Sequence, residues 1–264
     1  MFNYPGTICN EPTMTKRNMN DTLELLLSHQ SDRSFLDKAI PEDVLDNVIR
    51  AAWRAPTSVH SQQVSVIVTR DKETKQKLAA LTGGQPWVAQ APVFLTFVLD
   101  MHKSRIGIEA VDKQQLAHTS IESIVSGSQD VGIALASAML AARAQGLGVV
   151  PIGGIRNNPQ QVIELLNLPE LTFPINGLTL GYVDKPAHLK PRMPINAFRH
   201  EERYQDGELD ALIATHNREL SDHWQRISRG DGENWSQTVA GYYDHIYYPD
   251  VLPGLMHQGF KVDK

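Results

Sequence analysis

A chain of 264 residues with 41% hydrophobic and 21% charged residues holds enough apolar material for one large core, and it lacks the composition of a disordered polypeptide. The formal net charge of -5, with no run dense in Lys or Arg, argues against sequence-independent binding to nucleic acid. Cys9 is the single cysteine, which excludes an intramolecular disulfide and fits a reducing, cytoplasmic compartment; no secretion signal opens the chain, and no uninterrupted apolar run reaches membrane-spanning length.

The first twenty residues, with Pro5, Gly6 and Pro12, read as a loose arm. Asp21 and Glu24 have the spacing of a capping box, and Leu23, Leu26 and Leu27 share one helical face up to His29. A second helix is expected over about 42–55, opened by Pro41 and interrupted by Pro56. Val64, Val66 and Val68 alternate as in a half-buried strand, and 71–81 reads as a surface helix stopped by Gly83-Gly84. The apolar run 93–99 suits a central strand covered on both faces.

From about Lys113 to Gln145 a helical pattern dominates, its later half rich in alanine, and Gly146 and Gly148 stop it. Val149 and Val150 lead to Pro151-Ile152-Gly153-Gly154, and Asn158-Pro159 opens another helix. A further strand is expected at about 177–183. Helical stretches follow at about 208–224 and 235–243, and no internal repeat is found.

Two familiar motifs are absent. Gly146-Leu147-Gly148 meets Pro151 where a dinucleotide fingerprint needs its third glycine, and the ten histidines include no His-x-x-x-His or His-Glu-x-x-His pair, so no metal site is expected. Singly, the polar clusters that remain have ordinary readings. His29-Gln30-Ser31-Asp32-Arg33 reads as a helix end, Gly153-Gly154 as a turn, and Lys190-Pro191-Arg192 as a solvated loop.

Together these clusters have a distinctive order: His29-x-Ser31-x-Arg33, then Pro56-Thr57-Ser58, Gly83-Gly84-Gln85, Ile152-Gly153-Gly154 and Lys190-Pro191-Arg192. In this the chain resembles the nitroreductase superfamily over about 21–204, most of all its oxygen-insensitive nitroreductase A and NADPH-dependent flavin reductase group. There are three departures from the pattern: Gln30 stands in place of a basic residue, Asp32 in place of an aliphatic one, and the proline-serine segment is followed by Val59-His60-Ser61-Gln62 where the superfamily usually has asparagine.

The resemblance implies an α+β fold, with a mostly antiparallel sheet between helices in an intertwined homodimer. Residues 21–264 would form one domain whose segment from about 197 onward wraps the partner, with the alanine-rich helix at the interface. It also implies a noncovalent FMN. The matching positions are His29, Gln30, Ser31, Arg33, Pro56, Thr57, Ser58, Gln85, Ile152, Gly153, Gly154, Lys190 and Arg192. Arg192, Lys190 and His29 suit the phosphate, with Ser31 adding a hydroxyl. Arg33 suits the edge where negative charge collects on reduction, the glycine pair suits the N5 edge, and Gln85 suits the pyrimidine edge. Pro56, Thr57 and Ser58 would reach the flavin of the other subunit. Arg226 and Arg229 are the candidates for the 2'-phosphate of NADPH.

The expected reaction is hydride transfer from NADPH through the flavin to flavin, quinone or nitroaromatic acceptors in ping-pong order. The alternatives are a flavin-holding sensor without turnover and, ranked last, the superfamily's dehalogenase and flavin-fragmenting branch.

Overall fold

The computed structural model describes residues 20–261, so Cys9 and the expected arm, apart from Asn20, lie outside the described residues. The first helix, α1 (Asp21–Leu27), is capped by Asn20, whose side chain accepts from the Leu23 N–H at 3.0 Å. This moves the cap one residue ahead of the expected Asp21. Helix α2 (Glu42–Trp53) follows with Pro41 as its N-cap and buries Leu45, Val48 and Ala52. Strand β1 (Val64–Thr69) leads to α3 (Lys72–Leu81), where Asp71 accepts from the Thr74 N–H at 2.7 Å. The short α4 (Pro86–Gln90) and strand β2 (Val93–Asp100) come next, and every residue of β2 is buried.

After α5 (His102–Glu109), the long helix α6 spans Ile121–Ala144 and does not begin near Lys113. The physical reason is Gln115: it is buried, its amide oxygen accepts from the Ser104 hydroxyl at 2.7 Å, and its amide N–H reaches the Met101 carbonyl at 3.3 Å. That anchoring holds 113–120 against α5 until Ser120, in extended conformation, caps the helix. By length and composition α6 would cross a membrane, yet it carries Glu122, Asp130 and Arg143, and its inner face packs on α2 and the sheet.

Strand β3 (Gly148–Ile152), helix α7 (Pro159–Leu165) and strand β4 (Thr172–Gly181) complete the core. Strand β4 starts five residues earlier than expected. Pro174 disguises it in the sequence, but a register shift between Phe97 and Val98 accommodates a residue with no N–H to give. Val183 contributes only an isolated bridge to Phe35. The chain ends with α8 (Leu209–Arg226), α9 (Trp235–Tyr243) and α10 (Val251–His257).

The sheet order is β1-β2-β4-β3, and all three pairings are antiparallel. Alternation along β2 divides the core: Val93, Leu95 and Phe97 meet α2 and α6 on one face, and Phe94 meets Leu78, Val88, Ile155 and Val162 on the other. A third cluster brings Leu255 and Phe260, at the end of the described chain, back onto Leu99, Leu171 and Phe173.

The connection between α2 and β1 is braced and strained. Asp130, 3% exposed in mid-α6, accepts from the Ser58 N–H with both oxygens, at 3.0 and 3.1 Å, and from the Gln63 amide at 2.9 Å. Val59, His60 and Gln62 all have positive φ, at 47°, 56° and 50°. Such geometry in side-chain-bearing residues is uphill and persists because the surroundings impose it. Replacing Asp130 by alanine strands buried donors, so Asp130→Ala is expected to cost about 1–3 kcal/mol in urea unfolding. Proteolysis should increase within 57–63, and unchanged stability would show that the brace is dispensable.

Candidate functional site

The segment that leaves α1 runs beside β3, where the Asp32 N–H donates to the Val149 carbonyl at 3.0 Å. The Asp32 side chain turns inward, only 4% exposed, and accepts from the Ala187 N–H at 3.1 Å and the Gln30 amide at 3.4 Å. A carboxylate in place of an aliphatic residue thus ties segment 29–33 to the loop that leads to Lys190 and Arg192. Arg33 donates to the Ser31 carbonyl at 3.2 Å and lies 5.4 Å from the centroid of Trp87. These contacts join 29–33 to α4.

Around this frame basic groups accumulate. Burial pushes the Lys190 ammonium below its ordinary proton affinity, and the nearby Arg33, Arg229 and Arg192 push it further. Burial likewise lowers His29, with Arg143 and Arg192 acting in the same direction and Asp32 opposing them. Burial lowers Arg33 and Arg143 as well, offset in part by Asp32. His29, Arg33, Lys190, Arg192 and Arg229 are therefore brought into one electrostatic neighbourhood. At neutral pH His29 is uncharged in the ligand-free protein and offers a hydrogen bond to an anion.

Arg143 belongs to this group, although the sequence did not single it out. It donates to the carbonyls of Leu25 and Ser28, the latter at 3.0 Å, and to the Ser28 hydroxyl at 3.1 Å, fixing the end of α1. Its signal is that no other basic residue occurs within Ile121–Ala144. Two tryptophans were also missed: Trp87 under Arg33, and Trp224, whose ring lies 5.0 Å from the Lys190 ammonium and 5.1 Å from the Arg229 guanidinium.

The glycine pair opens the turn that follows β3. A Cβ on Gly154 would lie 2.5 Å from the Thr82 carbonyl oxygen and 2.8 Å from the Gln85 amide nitrogen, so its absence lets the 82–85 turn close on residues 153–154. A Cβ on Gly153 would meet only Arg156, at 3.5 Å. Gln85 donates one N–H to the Thr82 carbonyl at 2.7 Å and keeps its amide oxygen and second N–H available. The Ile152 side chain lies in the core, leaving only its backbone to face a ligand.

Pro56, Thr57 and Ser58 are not brought to this place within one chain. Ser58 is fixed at Asp130, whereas Arg143 lies thirteen residues farther along α6, roughly 20 Å at about 1.5 Å per residue. Arg226 acts on His223 in its own helix, and Arg229 is the residue of that pair that approaches Lys190. A cavity of about 490 Å³ lies apart from the cluster, between Phe35, Ile40, Lys72, Lys75 and Val93.

Helix α8 faces the cationic loop through buried histidines. His216 is 4% exposed and burial lowers its proton affinity, with Arg192 near enough to act on it; the His223 ring lies 6.4 Å from that of His188. Among the described residues, His216 Nδ1 and His223 Nε2 have no hydrogen-bond partner.

The chain has relatives of known family. The nitroreductase family model matches residues 26–182, and the model for the family's C-terminal domain matches 190–263, so the chain belongs to the nitroreductase family. It is 42% identical over 249 residues to the FMN reductase [NAD(P)H] of Bacillus subtilis, covering 93% of this chain and 100% of that protein. It is 34% identical to the NADPH-flavin oxidoreductase of Vibrio harveyi, covering 91% of this chain and 98% of the relative. The solved structure of NfrA2 from B. megaterium superposes with a TM-score of 0.91 at 42% identity, covering 93% of this chain and 100% of that one.

Burial lowers the proton affinity of His29, His118, His216 and His223. Each favours its neutral form in the folded chain, so the stability they supply is complete above the unfolded value near pH 6.5 and is lost as pH falls below it. The melting temperature of ligand-free protein should fall between pH 7 and pH 5, and more steeply for wild type than for His216→Gln. Equal slopes would remove His216 from that account.

Proposed function

We propose that this chain is an FMN-dependent oxidoreductase that takes hydride from NADPH and delivers it to flavin, quinone or nitroaromatic acceptors in ping-pong order, as a cytoplasmic homodimer. The observation that carries the reading is the convergence of His29, Arg33, Lys190, Arg192 and Arg143, with Arg33 over Trp87, two residues along from the Gln85 that packs on Gly154. Arginines that depress the proton affinity of His29 and Lys190 make a setting suited to a dianionic phosphate. The residues present fit FMN: the cationic cluster reaches α4 through Arg33 and Trp87, next to a turn that closes only because Gly154 lacks a Cβ, and Gln85 keeps both an acceptor and a donor free.

Lys190, Arg192, His29 and Ser31 would hold the phosphate, with Arg143 fixing the end of α1 that delivers His29. Arg33, stacked on Trp87, would face the flavin edge that gains negative charge on reduction, and Gly153, Gly154 and Gln85 would orient the opposite edge. When bound, FMN supplies the hydride-transferring centre, and no protein nucleophile is required. Arg229, and Arg226 more distantly, would meet the extra phosphate of the donor.

Two features support a second copy of the chain. The Pro56–Ser58 segment stands far along α6 from the cations, and the outer stripe of α6 leaves Ile121 and Val125 more than half exposed, at 52% and 56%. Val59, Phe198, Tyr243 and Ile246 are exposed too, at 93%, 86%, 74% and 79%. Residues 251–261 lie on the core of their own chain, so the stretch available to wrap a partner is about 198–250.

The deciding experiment is steady-state turnover with NADPH and NADH across several acceptors, after release and identification of the bound flavin. Catalytic NADPH consumption with parallel double-reciprocal lines is the expected result, whereas a single round of reduction would support a flavin-holding module. FMN should also bind more tightly as pH falls from 8 to 6, because an anion restores the proton affinity of His29, and His29→Gln should flatten that dependence. An unchanged slope in the variant would remove His29 from phosphate binding.

A further inference from the structure

The loop after α8 is folded around one indole. Trp224, 8% exposed, donates its ring N–H to the Glu233 carbonyl at 2.8 Å, and its own carbonyl accepts from the Arg229 N–H at 2.8 Å. Ser228 reverses the chain at φ 58°, and Gly232 presses so closely on the ring that a Cβ there would lie 2.4 Å from Cγ. Both the loop cation Arg229 and Lys190 of the 190–192 segment take positions near that ring, 5.1 and 5.0 Å from its centroid.

The two charges are therefore separated by no more than the sum of those distances, about 10 Å, and Arg229 adds to the burial that lowers the proton affinity of Lys190. Among the described residues no carboxylate neutralises them closely: the ion pair of Arg229, to exposed Asp231, is 3.9 Å long. What holds them is an aromatic face, which attracts cations through its quadrupole, together with the backbone bonds that wrap the loop around it.

We infer that Trp224 is a positioning residue that presets Arg229 against Lys190 and thereby sets the preference for NADPH over NADH. This rests on the donor reading above and adds to it the element that holds the reading cation in place. Without the indole, mutual repulsion releases Arg229 toward solvent and Asp231. NADPH then loses a contact to its additional phosphate, while NADH, which has no such phosphate, keeps its affinity.

The test is calorimetric titration of the purified flavin-loaded protein with NADP+ and with NAD+, alongside melting temperature and flavin retention. Trp224→Leu should weaken NADP+ roughly three- to tenfold and leave NAD+ within about twofold, while Trp224→Phe, which keeps an aromatic face, should stay near wild type. Gly232→Ala, which displaces the ring without removing it, should move NADP+ in the same direction and serves as the probe if the leucine variant does not fold. Trp224→Leu added to Arg229→Ala should weaken NADP+ no further.

Equal loss of both dinucleotides, or a phenylalanine variant as weak as the leucine one, would overturn the inference and leave Trp224 a structural residue. If Arg229→Ala shifts the NADP+ to NAD+ ratio and neither Trp224→Leu nor Gly232→Ala does, the positioning role alone fails. If Arg229→Ala leaves the ratio unchanged, the donor role of Arg229 fails and the inference falls with it.

Discussion

The arrangement depends on holding like charges together before any ligand arrives. His29, Arg33, Arg143, Lys190, Arg192 and Arg229 come from four separated stretches of chain; burial disfavours the charged forms of His29, Arg33, Arg143 and Lys190, and neighbouring arginines add to this at His29 and Lys190. Packing keeps them in place. Asp32, a buried carboxylate nearby, is committed to the Ala187 N–H and Gln30, so it orders the backbone that presents the cations and only partly screens them. A neutralised cluster would be more stable and would offer an anion much less.

The 56–62 connection shows a related economy of placement. It is held by Asp130 and kept in left-handed geometry at Val59, His60 and Gln62, and it projects Val59 almost fully into solvent. Nothing in the chain's own core rewards that posture. A surface maintained against local preference on a rigid helix is suited to serve a neighbouring molecule.

Much of the fold is legible because long periodic stretches state their own structure. The buried run of β2, the cap and face of α3, and the helices α8 and α9 follow from patterning. The start of α6 does not, because Gln115 finds partners on and just before α5 that no local pattern announces, and β4 is disguised by Pro174 until the register shift opposite Phe97 and Val98 is seen. Short helices such as α4 and α10 have too few residues for a period. Within the candidate site, the residues carried by ordered motifs are readable: His29, Arg33, Gln85, Gly154, Lys190 and Arg192. Arg143 and Trp224 are not, because their meaning arises from contacts with Ser28 and Lys190 that chain separation hides. Asp32 reads as an anomaly beside Arg33 until the Ala187 N–H is found at its oxygen.

The cationic cluster sits in a chain whose formal charge is -5. An approaching anionic nucleotide therefore meets opposite signs at different ranges: a net repulsive field from afar and attraction only near the cluster. At physiological ionic strength the distant part is screened beyond about 8 Å, so mobile ions largely erase the repulsion and leave the near field to act on molecules already beside the cations. Capture is then governed by local encounter, and selectivity among anions follows from how their charges are spaced more than from how many they carry.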